Sequence, residues 1–268
     1  MQYDPIKKVV GNFFNRTPFT RILLYKLLDL LLLRSWHIHR ELKRWAKTVG
    51  NNVHILDAGA GFGQYSYYLS TFNPNWNILS VDVKEDQVCD CNNFFQKLGK
   101  GNVVFKTADL VTFKQESAYD LVLSVDVMEH ILEDVEVFKN FSYSLKPGGM
   151  LLISTPSDQG GSDVHDETGE SFIDEHVRDG YNMQEIKDKL KSAGFSKVKA
   201  HYSYGAPGKL SWKLSMKYPL TMLNTSKLFF LIIPFYFLIT YPISFILNFI
   251  DARTAHPTGT GLIVKAWK

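Results

Sequence analysis

Short apolar runs alternate with stretches of helical pattern between residues 53 and 156. The runs that predict strands are VHILDAG, NILSVDV, NVVFKTADL, YDLVLSVDV and GMLLIST, and helical patterns such as QYSYYLSTF separate them. A parallel sheet buries both of its faces, and the alternation supplies helices to cover them. The chain is therefore expected to form an α/β domain, with a mostly parallel sheet between two layers of helices.

Two further strands are predicted near the end of the chain, in SKVKAHYSY and GLIVKAW. The helical pattern NMQEIKDKLKSAGF precedes the first of them, with Gly194 as its stop signal. Residues 19–48 also show apolar residues near helical spacing, with basic residues between them. We therefore predict an N-terminal helical extension over residues 1–50, a core over 51–205, an apolar insertion over 206–257 and a final core strand over 258–268. The extension is interpreted either as an interfacial membrane anchor or as a helix that caps the domain.

Charge is unevenly distributed along the chain. Residues 51–205 hold thirteen Lys or Arg against twenty-three Asp or Glu, whereas residues 1–50 hold ten against three and residues 206–268 hold seven against one. A nucleic-acid groove needs a continuous basic track, so the acidic centre argues against a nucleic-acid partner. Basic residues beside apolar segments suit the anionic cytoplasmic face of a membrane. Cys89 and Cys91 are too few for a disulfide framework, so a reducing cytoplasmic setting is expected.

A glycine-rich turn follows the first predicted strand, where Asp57 stands ahead of Gly59, Gly61 and Gly63. Glycines let the backbone approach a ligand closely, and the next helix offers free N–H groups at its N-terminus. The dinucleotide-binding pattern G-x-G-x-x-G would require glycine at position 64, where this chain has Gln64. The turn instead has the form D-x-G-x-G-x-G, which indicates a different cofactor.

Residues 53–156 resemble the class I S-adenosylmethionine-dependent methyltransferases, and their motif style is closest to the quinone- and lipid-type O-methyltransferases. The resemblance rests on the glycine turn, the acid that ends the second strand, and the motifs TADL, YDLVLSVDVMEHI and LKPGGMLLISTPS, in this order. It implies a Rossmann-like, doubly wound, mostly parallel seven-stranded sheet, with the N-terminal helical extension and the apolar helical insertion between the last two strands.

The same resemblance implies S-adenosyl-L-methionine as the cofactor. In this family the glycine turn holds the methionine end of the cofactor, Asp82 binds both ribose hydroxyls, and Asp109 lies near the adenine amino group. The two oxygens of a carboxylate can each accept a hydrogen bond from one hydroxyl of a cis-diol. The implied cofactor-binding residues are Asp57, Gly59, Gly61, Gly63, Asp82, Val83, Asp109, Leu110 and Ser124.

Two polar clusters lie where the family places its methyl acceptor, DVMEHILED and DVHDETGESFIDEHVRDGY. Imidazole titrates near neutral pH, so a histidine in either cluster could act as a general base. The candidate catalytic residues are Glu129, His130 and His176, and the candidate substrate-binding residues are His165, Arg178 and Tyr181. Arg178 could clamp a carboxylate or phosphate on the substrate. The alternative interpretation is that these are polar loop residues and helix caps around the cofactor pocket.

A partial resemblance to small-RNA 2′-O-methyltransferases, which use an E-x-x-E-H motif, leaves a metal site open. Its ligands would be Asp126, Glu129, His130 and His176. The first acid is Asp instead of Glu, and the downstream double-histidine pattern is missing. The favoured expectation is therefore an enzyme without a metal.

Residues 228–250 contain no charged side chain and are long enough to span a bilayer. If the strands before and after this segment share one sheet, both ends of the segment lie on the same side of any membrane. A single transmembrane pass is then excluded. A re-entrant hairpin bent at Pro234 or Pro242, a monotopic element, a lid over the active site and an internal helix pair remain open. Lys209, Lys213 and Lys217 share one helical arc ahead of the segment, a pattern typical of interfacial anchoring.

The expected function is that of a membrane-associated S-adenosylmethionine-dependent methyltransferase, with a lipid-like or other hydrophobic acceptor that is methylated at oxygen. The expected location is the cytoplasm, peripheral or monotopic on the cytoplasmic face of the membrane. One alternative is a soluble methyltransferase of a small carboxylate or hydroxyl metabolite, with the apolar segment as a lid. Another is a cofactor-binding membrane partner without turnover. The oligomeric state is left open.

Overall fold

A computed structural model describes residues 17–160 and 177–268. In these residues seven strands form one sheet, and their positions match the predicted apolar runs. The strands are β1 (His54–Ala58), β2 (Asn77–Asp82), β3 (Val103–Thr107), β4 (Tyr119–Val125), β5 (Leu145–Pro156), β6 (Lys197–Ser203) and β7 (Gly261–Trp267). The predicted fold class, a Rossmann-like mostly parallel sheet, is confirmed.

The strand order across the sheet is β3-β2-β1-β4-β5-β7-β6. Strands β1 to β5 are parallel, whereas β7 lies antiparallel between β5 and β6. Because β5 and β6 both run opposite to β7, β6 ends at the same edge of the sheet as β1 to β5. The strand order reverses between β1 and β4, and open α/β sheets bind ligands outside the carboxyl ends of their strands at such a point.

Helices cover both faces of the sheet. They are α1 (Pro18–Leu31), α2 (Leu33–Ala46), α3 (Gln64–Leu69), α4 (Glu85–Lys97), α5 (Asp134–Ser144) and α6 (Met183–Ser192). Ile55 and Leu56 are neighbours on β1 but lie in different apolar clusters, because successive strand residues point to opposite faces. The Ile55 cluster includes residues of α2, α3 and α4, and the Leu56 cluster includes residues of α5 and α6.

The N-terminal helical region consists of two helices instead of one. Leu32 separates them in an extended conformation, with φ −88° and ψ 114°. Helix α2 then buries Ile38, Leu42 and Trp45 in the core beside the sheet. The described part of the extension is therefore packed into the domain and caps one of its faces.

The apolar insertion between β6 and β7 is a helical hairpin. Its outgoing arm comprises α7 (Ala206–Trp212), a π-helical turn (Lys213–Lys217) and α8 (Tyr218–Thr225), and its returning arm is α9 (Ile233–Asp251). The arms are antiparallel, since the Asp251 carboxylate accepts from the Gly208 N–H at 2.9 Å while the Tyr236 hydroxyl donates to the Leu214 carbonyl at 2.8 Å. The confirmed pairing of β6 with β7 also excludes a single transmembrane pass.

The reversal of the hairpin lies ahead of both predicted bending points. The chain turns through an extended Ser226 and a 3₁₀ segment (Lys227–Leu231), and α9 then continues through Pro242. Pro234 lies in the first turn of α9, where the missing N–H removes no helical hydrogen bond. Of the possibilities left open by the sequence, a hairpin whose turn is formed by Pro234 or Pro242 is therefore wrong.

Candidate active site

The glycine turn lies at the carboxyl edge of β1, next to the end of β2. The Gly59 and Ala60 N–H groups donate to the Val81 carbonyl at 2.9 and 3.0 Å, so the turn is fixed against the second strand. Gly59, Gly61 and Gly63 have φ values of 78°, 52° and 85°, in the left-handed region that favours glycine. The turn leads directly into helix α3, as a site for a ligand at a helix N-terminus requires.

The three glycines differ in what a side chain would meet. A Cβ on Gly59 would lie 2.3 Å from a Val127 methyl carbon, and one on Gly63 would lie 2.9 Å from the Phe105 ring. A Cβ on Gly61 would meet nothing within 4 Å. Gly59 and Gly63 are thus required by packing, whereas Gly61 borders open space where a cofactor can lie against the backbone.

Asp82 ends β2 beside this open space. One of its carboxylate oxygens accepts from the Gly61 N–H at 2.9 Å, and the other accepts from the Lys84 N–H at 3.0 Å. These bonds orient the carboxylate and leave it further acceptor capacity, because two oxygens offer about four lone-pair positions. The geometry fits the binding of two neighbouring hydroxyl groups.

Asp57 lies beneath the turn and is only 3% exposed. The Ser66 hydroxyl donates to its carboxylate at 2.5 Å and lies 2.8 Å from the Ser80 hydroxyl. Burial raises the pKa of Asp57 to about 6, with the negative charge of Asp82 acting in the same direction and the bond from Ser66 opposing it. A cationic group near the turn would favour the ionised form of Asp57, which suits the amino group of a methionine moiety.

The remaining predicted cofactor residues lie near the carboxyl ends of β2, β3 and β4. Val83 is 62% exposed after β2, and the exposed Asp109 accepts from the Val111 N–H at 2.9 Å. Leu110 is almost fully buried beside Asp109. Ser124 near the end of β4 is also buried, and its hydroxyl has no partner among the described residues. The fold brings Val83 and Asp109 to the carboxyl edge beside Asp82, while Leu110 and Ser124 support it from within.

Helix α1 contributes two residues to the site that sequence reasoning missed. Arg21 is 2% exposed, and its guanidinium donates to the Phe62 carbonyl in the glycine turn at 2.7 Å. The Tyr25 hydroxyl donates to the same carbonyl. Arg21 also pairs with Asp90 at 2.5 Å. The four-residue spacing of Arg21 and Tyr25 places them on one helical arc, but the sequence does not show that this arc faces inward.

The acceptor side of the edge begins where β4 ends. Asp126 has a left-handed backbone with φ 52°, and its carboxylate pairs with Arg34 of α2. Glu129 is 1% exposed and accepts from the Thr155 hydroxyl at 3.0 Å. Burial raises the pKa of Glu129. His130 is exposed on the same 3₁₀ turn (Met128–His130). Glu129 and His130, two of the three candidate catalytic residues, therefore lie near the edge, and their catalytic roles stay predictions.

Arg178 and Tyr181 belong to a buried polar network around Asp134. The Arg178 guanidinium pairs with Asp134 and donates to the carbonyls of Ile131 and Leu132 at 2.6 and 3.2 Å. Tyr181 is 1% exposed, and its hydroxyl donates to Asp134 at 2.8 Å. Both terminal nitrogens of Arg178 and the Tyr181 hydroxyl are thus bonded to protein partners, while the Arg178 Nε is buried without a partner among the described residues. This favours a structural role for both residues over the predicted contact with substrate.

The other acceptor-side candidates, His165 and His176, lie outside the described residues. The alternative metal site would need His176 together with Asp126, Glu129 and His130. Among residues 17–160 and 177–268, no group of three or more His, Cys, Asp or Glu side chains is placed to hold a metal ion. In addition, the Asp126 carboxylate is paired with an arginine.

Comparison with known proteins identifies the family. The profile of the methyltransferase domain family matches residues 50–213. The chain belongs to the class I S-adenosylmethionine-dependent methyltransferases. The predicted family and its S-adenosylmethionine cofactor are thereby confirmed, and the free edge beside Gly61 and Asp82 is where the residues present fit that cofactor.

Two curated relatives of this methyltransferase have different acceptors. Malonyl-[acyl-carrier protein] O-methyltransferase 2 of Ilyobacter polytropus is 31% identical over 140 residues, which is 51% of each protein. Phosphoethanolamine N-methyltransferase 1 of Triticum aestivum is 30% identical over 152 residues, which is 54% of this chain and 29% of the relative. The chain thus spans about half or less of these relatives, and one is named for oxygen and the other for nitrogen methylation.

The fold comparison agrees with the family assignment. Phosphoethanolamine N-methyltransferase 2 of Haemonchus contortus, in complex with S-adenosyl-L-methionine, superposes with a TM-score of 0.63. The match covers 97% of this chain and 60% of that protein at 17% sequence identity. At this identity the likeness concerns the fold.

Proposed function

We propose that this protein is a membrane-associated methyltransferase that transfers a methyl group from S-adenosyl-L-methionine to a hydrophobic, lipid-like acceptor at oxygen. The cofactor supplies an electrophilic methyl group on a sulfonium. The chain's own residues position the donor through the glycine turn and Asp82, and they align the acceptor at the end of β4. Alignment of two bound reactants can account for a large part of the rate enhancement in such a transfer.

An oxygen acceptor must also lose a proton during the transfer. Glu129 and His130 lie on the turn that follows β4, so either is close to the edge where the acceptor is expected. A general base must come within hydrogen-bond reach of the acceptor hydroxyl, directly or through one water. The exposed His130 meets this condition more readily than the buried Glu129.

The observation that carries the proposal is the exposed apolar surface of the insertion. Helix α9 is long and apolar enough to cross a membrane, and it is the one such helix in the described residues. Only 11% of its apolar stretch is buried inside the protein. Among its large apolar side chains, Phe235, Leu238 and Ile239 are 70%, 76% and 71% exposed. This exposure argues against an internal helix pair and supports contact with lipid.

Helix α1 extends this surface. Its exposed apolar residues are spaced along one side of the helix: Phe19, Leu23, Leu27 and Leu30. Its C-terminal end adjoins α9, where the Tyr241 hydroxyl donates to the Leu30 carbonyl at 3.3 Å. We name the exposed apolar residues of α1 and of residues 228–250 the apolar surface. It borders the active site, because β6 delivers the insertion at the same edge of the sheet as the glycine turn.

The charges around the apolar surface suit an anionic leaflet. Residues 206–250 contain no Asp or Glu, and the sequence of the outgoing arm places Lys209, Lys213 and Lys217 four residues apart. Each basic residue near an anionic membrane contributes about 1 kcal/mol of attraction. Asp251, which ends the apolar helix, is fully buried and pairs with His37 at 2.9 Å. The negative charge at that end is thereby kept inside the protein.

Flotation with vesicles of phosphatidylglycerol and phosphatidylethanolamine tests the membrane part of the proposal. The variant with both Leu238→Asp and Ile239→Asp should lose binding by at least tenfold, since each apolar side chain contributes about 1.5–3 kcal/mol on burial. Leu132→Asp is the control, because Leu132 is similarly exposed, at 70%, but belongs neither to α1 nor to the insertion. Equal flotation of the double variant and the wild type would contradict membrane docking through α9.

Labelled methyl transfer into a total lipid and metabolite extract of the source organism tests the activity and acceptor class. Label in the organic phase is the expected result. Label confined to the aqueous phase would contradict the hydrophobic acceptor and favour a small-metabolite methyltransferase. Absence of transfer into either phase, despite binding of S-adenosylhomocysteine, would favour a cofactor-binding partner without turnover.

A further inference from the structure

Arg34 occupies the acceptor side of the active-site edge. It is the second residue of α2, and its guanidinium pairs with Asp126, the residue directly after β4. Asp126 is fixed in turn by its own N–H, which donates to the Ser154 carbonyl of β5 at 2.8 Å. The pair therefore places a positive charge over the ends of β4 and β5, beside the strand that leads to Glu129 and His130.

The Arg34 guanidinium has hydrogen-bonding capacity left over. A guanidinium carries five N–H donors, and the bond to Asp126 uses only the Nη1 nitrogen of Arg34. The side chain is still 36% exposed, so a ligand can approach its outer atoms. The Nε of Arg34 and that of Arg178 are both buried without a partner among the described residues. Arg178 differs in that its side chain is 18% exposed and both of its terminal nitrogens are bonded to protein atoms.

Two tyrosine hydroxyls lie at the start of α2 beside this cation. The Tyr204 hydroxyl accepts from the Arg34 backbone N–H at 3.1 Å, and the Tyr65 hydroxyl lies 3.2 Å from the Ser35 hydroxyl. Burial raises the pKa of both tyrosines, and the positive charge of Arg34 opposes that rise in each. Both phenols therefore remain neutral, so neither adds a negative charge near the guanidinium.

An apolar cleft adjoins the same cluster. It runs between the N-terminal helices and the insertion, and Tyr204 contributes to its lining. The apolar lining residues are Leu31, Leu32, Leu33, Trp212 and Met216, and the polar ones are Ser211, Ser215 and Asn248. Its volume of about 10 Å³ has room for about one water, so it marks a gap between the two helical regions and is too small for an apolar chain. Leu33 directly precedes Arg34, so the apolar walls and the cation are adjacent. One arm of the cleft belongs to the insertion that carries the apolar surface.

We propose that Arg34 binds an anionic group, a carboxylate or a phosphate, on the hydrophobic acceptor of this enzyme. Asp126 pairs with the guanidinium in the absence of the acceptor, and the terminal nitrogen that Asp126 leaves free offers the donors that the anion accepts. The acceptor is then an anionic amphiphile whose charged end lies at Arg34 and whose chain lies toward the apolar surface. This inference rests on the proposed function, since it names the class of its acceptor.

Calorimetric titration of three matched probes into the protein saturated with S-adenosylhomocysteine tests the proposal. Decanoate and decyl phosphate carry an anion on a ten-carbon chain, decanol lacks the charge, and inorganic phosphate lacks the chain as a further control. The wild type should bind either anionic amphiphile at least tenfold more tightly than decanol, because hydrogen bonds to charged groups are the strong ones. Arg34→Gln should abolish that preference, and Arg34→Lys should restore part of it.

Two further variants separate ligand binding from a structural role. Arg44→Gln is the matched control on the same helix, since Arg44 is 57% exposed and pairs with Glu41, and it should keep the preference. Asp126→Asn removes the carboxylate that competes for the guanidinium, so it should strengthen decanoate binding several-fold. A purely structural ion pair would instead weaken probe binding when either partner is changed.

The opposite results would overturn the inference. Equal binding of decanoate and decanol by the wild type, or a preference that survives in Arg34→Gln, would exclude Arg34 as the anion site. Inorganic phosphate that binds as tightly as decyl phosphate would replace the amphiphile with a free anion. Loss of S-adenosylhomocysteine binding by the wild type would instead contradict the proposed function, so the two failures are distinguishable.

Discussion

The Arg21 guanidinium on helix α1 lies 2.7 Å from the Phe62 carbonyl in the glycine turn of the cofactor site. This hydrogen bond joins the N-terminal extension to the part of the fold that is most typical of the family. The outer side of the same helix belongs to the apolar surface. The extension therefore contacts the cofactor turn with one side and faces the proposed membrane with the other.

Replacement of Arg21 by Met should weaken both folding and cofactor binding. The change leaves the Phe62 carbonyl and the Asp90 carboxylate with fewer donors, at a cost of about 1–3 kcal/mol for buried hydrogen bonds. Urea unfolding and calorimetric titration of S-adenosylhomocysteine measure the two effects. Lys26→Met is the control, because Lys26 is exposed on the same helix. Equal cofactor affinity in both variants would show that α1 does not support the turn.

Alanine at Gly59 and at Gly61 should have different consequences. Gly59→Ala places a methyl group against Val127 and should destabilise the fold by several kcal/mol, since backbone strain and overpacking add. Gly61→Ala meets no protein atom, so its cost in stability should be about 1–2 kcal/mol from the positive φ alone. Its S-adenosylhomocysteine affinity should nevertheless fall at least tenfold. An unchanged affinity would place the cofactor elsewhere.

Asp82→Ala should lower the affinity for S-adenosylhomocysteine by roughly 10- to 100-fold, the range expected for hydrogen bonds to a charged group. The fold should persist, because Asp82 is only partly buried at the end of its strand. Asp86→Ala is the matched control, since Asp86 is an exposed acid in the first turn of the next helix. If the two variants bind equally well, Asp82 does not contact the ribose.

The buried Asp57 should make stability depend on pH. Its pKa of about 6 in the folded protein exceeds the ordinary aspartate value of 3.8, so the unfolded chain loses this proton first as the pH rises. The contribution of Asp57 to stability should therefore decrease between about pH 4 and pH 6 and stay constant above. The total change is about 3 kcal/mol, because one pKa unit corresponds to about 1.36 kcal/mol.

Other groups titrate in the same window, so Asp57 must be isolated by a difference measurement. Burial raises the pKa of Asp29 to about 6 with the same sign of effect, whereas burial lowers the pKa of His201 to about 4 and gives the opposite sign. Urea unfolding of wild type and Asp57→Asn at pH 4, 5, 6 and 7 removes these shared contributions. A stability difference that does not vary with pH would contradict the assignment.

Asp251→Asn should loosen the insertion from the domain. The buried Asp251 carboxylate accepts from the N–H groups of Tyr204 and Gly208 and pairs with His37 and His256. Asparagine has one acceptor oxygen instead of two, so one of the two buried backbone N–H groups loses its partner, at a cost of about 1–3 kcal/mol. Limited proteolysis should cleave the variant within residues 206–257 faster than the wild type. Equal cleavage rates would show that this cluster does not hold the hairpin.

The cofactor half of the site could be predicted from the sequence because its signals are local. Asp57, the three glycines and Asp82 follow directly from strand ends, and parallel strands bring their carboxyl ends to one edge. The periodic pattern likewise indicates strands and helices without knowledge of their partners. The apolar character of residues 228–250 could also be predicted from the sequence, because it is a property of composition.

The acceptor half depended on contacts between distant residues. Arg34 and Asp126 are 92 positions apart, and Arg178 and Asp134 are 44 apart, so neither pairing is visible in a local pattern. Arg34 and Arg178 are chemically equal in the sequence. Only the packing of their helices and loops leaves Arg34 partly exposed at the active-site edge and encloses Arg178 in a buried network.

By itself, the sequence determined the sheet, the cofactor turn and the existence of an apolar segment, since each arises from residues close together in the chain. Only the tertiary structure decided that α1 directs Arg21 inward, that the hairpin reverses ahead of Pro234, and that α9 presents Leu238 and Ile239 to the outside. The physical reason is that burial is set by what packs against a helix, and a helical pattern alone does not identify that partner.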